Sequence, residues 1–228
     1  MTGKLTIKKV LALLLAALAF DLTTTYAEIP PQRAQWEPEI QKFEAHDATN
    51  PPPQNAVLFV GSSTIRKWTT LAKDFPGVTA INRGFGGSEI DDSTAYASRI
   101  IVPYHPRIIV FYAGDNDLAD KAVKRSADQV VAEYTNFVSV IHSQLPDTKI
   151  VFISIKPCIA RWKLKDEVIN VNKQIEAMKE PYLAFVNIYP LMLGPDGKPQ
   201  KDLLEKDGLH PTQKAYDLWA PLIRPYLN

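Results

Sequence analysis

The sequence has very little cysteine, since Cys158 is the only one in 228 residues. A lone thiol cannot form a disulfide within the chain, so a hydrophobic core must stabilise the fold. An excess of charge of one sign is also missing, because 26 lysines and arginines face 25 aspartates and glutamates and leave a formal net charge of +1. This balance excludes the basic field with which many proteins attract nucleic acid, and we expect no nucleic-acid partner.

Long apolar runs are scarce as well. The run from Val10 to Phe20 has 11 residues, whereas a helix needs about 20 to span a bilayer. Lysines precede this run, and a segment of small and polar residues ends at Ala27, which is the pattern of a secretory signal peptide. We predict that residues 1–27 are a signal peptide, that the protein is periplasmic or secreted, and that the mature chain does not insert into a membrane. An uncleaved N-terminal anchor is the alternative interpretation.

Residues 28–228 are predicted to form a single domain that begins with a short helical extension. Trp36, Ile40 and Phe43 recur at helical spacing within a proline-rich region. Pro38 fits such a helix only in its first turn. We therefore predict a short amphipathic helix, followed by an extended connection to the first strand.

Beyond the extension, short apolar segments alternate with amphipathic ones. The segments predicted as strands are 57–60, 78–82, 107–113, 149–155 and 184–188. The clearest helix begins after Ser126, which forms a capping-box pattern with Gln129, and it ends before Pro146. The last helix is predicted to start with Pro211 in its first position. This alternation predicts an α/β fold in which helices cover both faces of a mainly parallel sheet.

Two glycine-containing segments follow the first two predicted strands, at the sheet edge where open α/β folds keep their sites. Gly61 permits a sharp turn before Ser62 and Ser63, and a helix starting directly afterwards would direct free backbone N–H groups at the Ser63 hydroxyl. The alternative is that the serine only caps that helix. From the second segment, 82–88, the N–H of Gly87 could face the same site, although a tight turn between strand and helix also explains these glycines.

Two further motifs suggested by these loops are incomplete. A dinucleotide-binding fingerprint would need a third glycine where Glu89 stands. The segment after the third strand offers a side-chain N–H donor in Asn116, for which an Asx turn is the structural alternative. A calcium-binding loop at this place would need glycine instead of Asp120 and glutamate instead of Ser126. Neither a dinucleotide site nor a calcium loop is therefore indicated.

A histidine near the end of the chain completes the set of candidate residues. His210 follows Asp207 by three residues in a loop that leads into a helix, an arrangement that can activate a serine hydroxyl. The three other histidines fall in a proline-rich region, a tight turn and a helix: His46, His105 and His142. We predict His210 as the general base for Ser63 and Asp207 as the residue that orients it.

The order of these segments resembles the SGNH hydrolases, also called the GDSL esterase/lipase family, over about residues 55–228. Ser63 matches the family nucleophile, although Ser62 replaces the usual aspartate of the Gly-Asp-Ser motif. The resemblance implies a three-layer α/β/α sandwich on a five-stranded parallel sheet of flavodoxin-like order. It also implies ester or thioester hydrolysis through an acyl-enzyme, without metal or cofactor.

The resemblance assigns a role to each candidate residue. Ser63, Asp207 and His210 match the catalytic residues. The backbone N–H groups of Ser63 and Gly87 and the side chain of Asn116 match the donors of the oxyanion hole.

Residues after the fourth strand are candidates for substrate binding. Arg161 and Trp162 could contact a sugar face or a polar head group, with help from Arg83; alternatively, Trp162 packs against the next helix and Arg161 is solvated. We expect an exported serine esterase that removes small acyl groups from a carbohydrate or another polar alcohol. A lysophospholipase, a thioesterase, an acyltransferase and a non-catalytic glycan-binding protein are the alternatives.

Overall fold

Five parallel strands form the sheet in the computed structural model, which describes residues 31–120 and 122–227. The strands are β1 Val57–Gly61, β2 Ala80–Gly84, β3 Ile108–Tyr112, β4 Lys149–Ile153 and β5 Leu183–Val186. They lie side by side in the order β2-β1-β3-β4-β5, which is the flavodoxin-like order. The predicted three-layer fold is confirmed. The predicted signal peptide lies outside the described residues.

Helices cover both faces of the sheet. They are α1 Glu37–Thr49, α2 Ser63–Arg66, α3 Leu71–Asp74, α4 Ile90–Ala95, α5 Ala97–Ile100, α6 Asp115–Ala119, α7 Ala127–Gln144, α8 Lys165–Glu176 and α9 Gln213–Ile223. Leu58 and Val60 of β1 share a core with α1, α4, α5, α7 and α8. Val57 and Phe59 point to the other face and share a core with α2, α3 and α9. Burial on both faces explains why the strand sequences are almost continuously apolar.

The N-terminal extension folds as the hydrophobic spacing predicts. A short 3-10 helix, Pro31–Trp36, leads directly into α1. Pro38 lies in the first turn of α1, where its missing N–H breaks no hydrogen bond. Ile40 of α1 is fully buried and packs in the same core as Leu58 and Val60 of β1.

Several predicted boundaries differ from the structure by one or two residues, and tertiary pairing explains the largest shifts, at β2 and α9. β2 runs from Ala80 to Gly84 instead of 78–82, because these residues pair one by one with all of β1. α9 begins at Gln213 after Thr212 as N-cap, since Pro211 instead pairs with Leu204 in an isolated bridge. The α7 prediction is confirmed, and its capping box forms as expected. Within the described ranges, no helix is long and apolar enough to cross a membrane.

Candidate active site

The turn after β1 places Ser63 at the carboxyl edge of the sheet. Gly61 has a φ of +131°, and a Cβ atom there would lie 1.9 Å from the Tyr112 carbonyl oxygen, so a side chain cannot be accommodated. Ser62 then donates its backbone N–H to the same carbonyl at 3.0 Å. The chain turns sharply, and Ser63 becomes the first residue of α2.

Ser63, His210 and Asp207 form a continuous chain of hydrogen bonds. The Ser63 Oγ lies 2.9 Å from the His210 Nε2, and the His210 Nδ1 lies 2.5 Å from an Asp207 carboxylate oxygen. Nδ1–H donates to the carboxylate, which leaves Nε2 as the acceptor for the serine hydroxyl proton. The residues come from opposite ends of the chain, and the structure brings them together as the sequence predicts.

Asp207 also fixes the loop that carries His210. Its second carboxylate oxygen accepts the backbone N–H groups of Leu209 at 2.9 Å and His210 at 3.0 Å. Burial acts to raise the pKa of Asp207, but the hydrogen bonds from the His210 ring and these two N–H groups outweigh it and hold the pKa well below its usual range. Asp207 therefore stays ionised and keeps the imidazole oriented.

The neighbouring serine does not contact the histidine. Ser62 is buried, and its hydroxyl has no hydrogen-bond partner among the residues that the structure describes. Of the two serines in the Gly-Ser-Ser segment, Ser63 is the one with its hydroxyl beside a base.

Three N–H groups are positioned as candidate donors for an oxyanion. The backbone N–H groups of Ser63 and Gly87 donate to no other residue within 31–120 and 122–227. Asn116 uses one of its two amide hydrogens to donate to the Ser88 carbonyl at 2.9 Å, and the other donates to none of the residues that the structure describes. The segment carrying Gly87 lies beside the serine turn, because the Phe85 N–H donates to the Gly61 carbonyl at 2.9 Å.

Arg161 holds Asn116 in place. Its guanidinium donates to the Asn116 side-chain oxygen at 2.9 Å and to the Asp115 carbonyl at 2.8 Å. These two bonds leave the Asn116 NH₂ group as the part of the side chain that faces Ser88. Arg161 is therefore not simply solvated, because it holds a candidate oxyanion donor, and its role as a substrate contact stays a prediction.

Arg83 does not lie where the sequence suggested, and its assignment as a substrate contact is corrected. Because β2 extends to Gly84, Arg83 is a strand residue whose side chain is buried. Its guanidinium donates to both carboxylate oxygens of Asp47, at 2.6 and 2.8 Å, to the Tyr104 hydroxyl at 2.8 Å and to the Asn82 carbonyl at 2.9 Å. Arg83 anchors the N-terminal extension to the sheet.

Trp162 lines a cleft beside the histidine loop. The cleft has a volume of about 500 Å³ and is lined by Ile159, Trp162 and residues from Gly194 to Lys201. Ala160 donates its backbone N–H to the Gly208 carbonyl at 3.0 Å. Because Gly208 lies between the aspartate and the histidine of the hydrogen-bonded chain, this cleft borders the candidate active site.

A buried lysine that the sequence reading missed connects the two sides of the site. Lys156 is 2% exposed, and its ammonium group lies 3.0 Å from the Asp115 carboxylate, 3.0 Å from the Tyr112 hydroxyl and 3.3 Å from the Thr64 hydroxyl. Thr64 follows the candidate nucleophile, and Asp115 precedes Asn116. A charged residue directly after the segment predicted as the fourth strand, 149–155, was the available signal.

The buried ion pair shifts both partners toward their charged forms. Burial acts to raise the pKa of Asp115. The positive charges of Lys156 and Arg161 lower this pKa by more than burial raises it, so the net shift is downward. Burial acts to lower the pKa of Lys156, but Asp115 raises it well above its usual range. Lys156 thus links the two elements that carry the serine and the asparagine, through a hydrogen bond to Thr64 on one side and a buried ion pair with Asp115 on the other.

Among the residues that the structure describes, no cluster of three or more histidine, cysteine, aspartate or glutamate side chains is arranged to hold a metal ion.

Comparisons with known proteins identify the family and agree with the fold. The GDSL-like Lipase/Acylhydrolase family matches residues 53–218. No curated protein matches the sequence significantly. A GDSL-like lipase from Bacteroides thetaiotaomicron is 21% identical, with a TM-score of 0.68 over 82% of this chain and 96% of that chain.

Two other solved structures share the fold at lower identity. A carbohydrate esterase family 3 protein from Talaromyces cellulolyticus is 18% identical, with a TM-score of 0.57 over 75% of this chain and 95% of that chain. An acetyl-xylooligosaccharide esterase from Geobacillus Stearmophilus is 14% identical, with a TM-score of 0.57 over 78% of this chain and 96% of that chain. The family match covers most of the chain, and the chain therefore belongs to the GDSL-like lipase/acylhydrolase family.

Proposed function

We propose that the protein is an exported serine esterase that hydrolyses carboxylic esters through an acyl-enzyme. The observation that carries this proposal is the 2.9 Å contact between the Ser63 Oγ and the His210 Nε2, with Asp207 bound to the other ring nitrogen. This is the arrangement in which a neutral imidazole can remove the proton from a serine hydroxyl. Export is supported by the signal-peptide pattern of residues 1–27.

In the acylation step, His210 takes the hydroxyl proton while the Ser63 Oγ attacks the ester carbonyl carbon. Asp207 stabilises the imidazolium that forms. The oxyanion of the tetrahedral intermediate accepts hydrogen bonds from the Ser63 and Gly87 N–H groups and from the Asn116 side chain. In serine hydrolases one such donor contributes about 3–4 kcal/mol to the transition state.

The intermediate collapses when His210 returns the proton to the alkoxide of the leaving alcohol, and the acyl group stays on Ser63. A water molecule then takes the place of the alcohol. His210 removes a proton from this water, hydroxide adds to the acyl carbon, and the carboxylic acid leaves as the serine hydroxyl is restored.

The cleft beside the site has a mainly apolar lining, but it also carries side chains that can contact a polar alcohol such as a carbohydrate. Trp162 offers an aromatic face, and the loop from Gly194 to Lys201 supplies Asp196, Lys198 and Gln200 as polar partners for hydroxyl groups. Two proteins of the same fold are described as a carbohydrate esterase and an acetyl-xylooligosaccharide esterase. Together these observations support small acyl groups on a sugar as the substrate class.

A lysophospholipase or thioesterase is the second candidate, because the same cleft also has apolar lining. Ile159 is 42% exposed at its border, where it could pack against an acyl chain. Acyl-chain length separates the two candidates: a carbohydrate esterase should prefer acetyl esters, whereas a lysophospholipase should turn over long-chain esters faster. Product analysis with added alcohols would detect acyl transfer.

The two adjacent serines provide a matched test of the proposed nucleophile. Ser63→Ala should abolish hydrolysis of 4-nitrophenyl acetate and of acetylated xylan, because no hydroxyl remains beside His210. Ser62→Ala should retain most of the activity, since the Ser62 hydroxyl contacts no base. Initial rates are compared after circular dichroism has shown that both variants fold. The reverse result would assign the reaction to Ser62.

A further inference from the structure

The N-terminal extension contacts the loop that carries a candidate oxyanion donor. The extension, residues 31–52, precedes the part of the chain that matches the family, which begins at residue 53. The Trp36 indole N–H donates to the Gly86 carbonyl at 2.8 Å. The Gly86 N–H donates to the Glu39 carboxylate at 3.3 Å. Both backbone polar groups of one loop residue are thus held by the extension.

The geometry of the peptide bond connects this contact to the active site. The Gly86 carbonyl and the Gly87 N–H belong to the same trans peptide group, and in such a group the C=O and N–H bonds point in opposite directions. When Trp36 holds the oxygen, the Gly87 N–H must point away from the extension. An amide whose oxygen accepts a hydrogen bond is also polarised and becomes a better donor.

The loop needs such an anchor because its backbone is permissive. Glycines on both sides of this peptide allow the group to rotate at little steric cost, and Gly87 has a φ of +77°. A Cβ atom added to Gly87 would meet nothing within 4 Å, so the space on that side of the residue is open. Besides the bonds that hold Ser88, the contacts to Gly86 restrain this peptide.

The extension is itself docked firmly enough to act as that anchor. Arg99 binds Glu37 at 2.7 and 2.8 Å and Glu44 at 2.7 Å, and Arg83 binds Asp47. Near the loop, the edge of the Trp36 ring packs against the buried Phe85 ring, with centroids 6.2 Å apart.

Glu39 also reaches the helix that begins with the serine. The Arg66 guanidinium at the end of α2 lies 3.5 Å from the Glu39 carboxylate. A Cβ added to Gly86 would come within 2.8 Å of the same guanidinium. The extension therefore touches both backbone segments on which Ser63 and Gly87 lie.

We propose that Trp36 is a positioning residue for ester hydrolysis, which sets the direction of the Gly87 N–H and thereby completes the oxyanion hole. Glu39 assists by holding the other side of Gly86. The proposal rests on the esterase function and on Gly87 as a donor. The N-terminal extension then contributes to the active site by positioning one of its hydrogen-bond donors.

Trp36→Phe tests the proposal, because phenylalanine keeps an aromatic ring against Phe85 and removes the N–H donor. We expect kcat for 4-nitrophenyl acetate to fall on the order of 10-fold, less than for complete loss of an oxyanion donor, with KM within about twofold. Glu44→Ala is the control, since it changes the same extension but removes only an ion-pair partner of Arg99 and no contact to Gly86. Equal kcat values for the two variants would overturn the proposal.

The Gly87 amide provides a readout that a general loss of stability would not move. ¹⁵N-glycine labelling limits the spectrum to glycine signals, since the sequence has 10 glycines, of which Gly3 falls within the predicted signal peptide. We expect the Gly87 signal to shift or broaden in Trp36→Phe and to stay in place in Glu44→Ala. An unchanged Gly87 signal in Trp36→Phe would contradict a role in orienting this peptide.

If Trp36→Phe does not fold, two variants in α1 still test the proposal. Glu39→Ala removes the second contact to Gly86 and should lower kcat, whereas Glu44→Ala removes only a partner of Arg99 and should not. Equal activity of these two variants would count against the proposal. Activity that survives Ser63→Ala would instead refute the esterase mechanism itself, so the two failures are distinguishable.

Discussion

The two sides of Ser63 are held by different kinds of contact. On the acid–base side, the Asp207 side chain is 44% exposed, and its hydrogen bonds reach only two and three residues along its own loop. On the oxyanion side, the Asp115 side chain is 8% exposed and is bound by Lys156, which lies 41 residues away in the sequence. The first side is a local motif at the surface, and the second is a buried network assembled from distant segments.

This difference predicts where function and stability separate. Removing a surface motif whose bonds are local should impair the reaction and leave the fold intact. Removing one charge from a buried pair leaves the other charge desolvated and without a partner, which destabilises the whole domain. Variants on the two sides should therefore fall into two classes.

On the acid–base side, His210→Ala should lower kcat about 10⁴- to 10⁶-fold, because no base remains to activate the serine. The free energy of unfolding should change by only about 1 kcal/mol, since the loop keeps the backbone bonds to Asp207. Ester turnover and urea unfolding measure the two quantities on the same preparation. A large loss of stability would show that this loop is part of the structural core after all.

On the buried side, Lys156→Met should reduce the free energy of unfolding by about 3–5 kcal/mol, because Asp115 is left as a buried charge. The measurement is urea unfolding. Lys214→Met is the matched control, because Lys214 also pairs with an aspartate but is 63% exposed, and its midpoint should hardly move.

A second substitution sharpens this test. Adding Asp115→Asn to Lys156→Met removes the unpaired charge and should recover part of the lost stability. If the double variant is no more stable than the single one, the ion pair is not the source of the effect.

Arg161→Met should have the smallest effect of these changes and distinguishes two roles for the arginine. If Arg161 positions Asn116, kcat should fall on the order of 10-fold while KM stays within about twofold. Arg224→Met is a suitable control, since Arg224 also donates to a backbone carbonyl, that of Asp74 at 2.6 Å. A raised KM with unchanged kcat would instead support the substrate-binding role that the sequence suggested for Arg161.

The same contrast explains what could be predicted from the sequence. His210 and Asp207 are three residues apart, so their partnership is visible as a local pattern. The capping box of Ser126 and Gln129 is equally local, and α7 begins where that pattern predicts. The strand order follows from the family resemblance and agrees with the alternation of strands and helices.

The supports of the oxyanion side could not be predicted in this way. Lys156 and Thr64 are 92 residues apart in the sequence, and Trp36 and Gly86 are 50 residues apart, so no local sequence pattern predicts either contact. Arg83 looked like a loop residue because the end of β2 depends on pairing with β1, which propensity does not reveal. Each of these errors concerns a side chain whose partner is distant in sequence.

The central claim is that the Ser63 hydroxyl is a nucleophile activated by His210, and covalent labelling tests it most directly. The intact protein is treated with an organofluorophosphonate, digested and analysed by mass spectrometry. We expect one phosphonylated residue, Ser63. Labelling should be lost in Ser63→Ala and retained in Ser62→Ala. An adduct on Ser62, or no adduct in the folded wild-type protein, would contradict the account, and the latter result would favour a glycan-binding protein without catalysis.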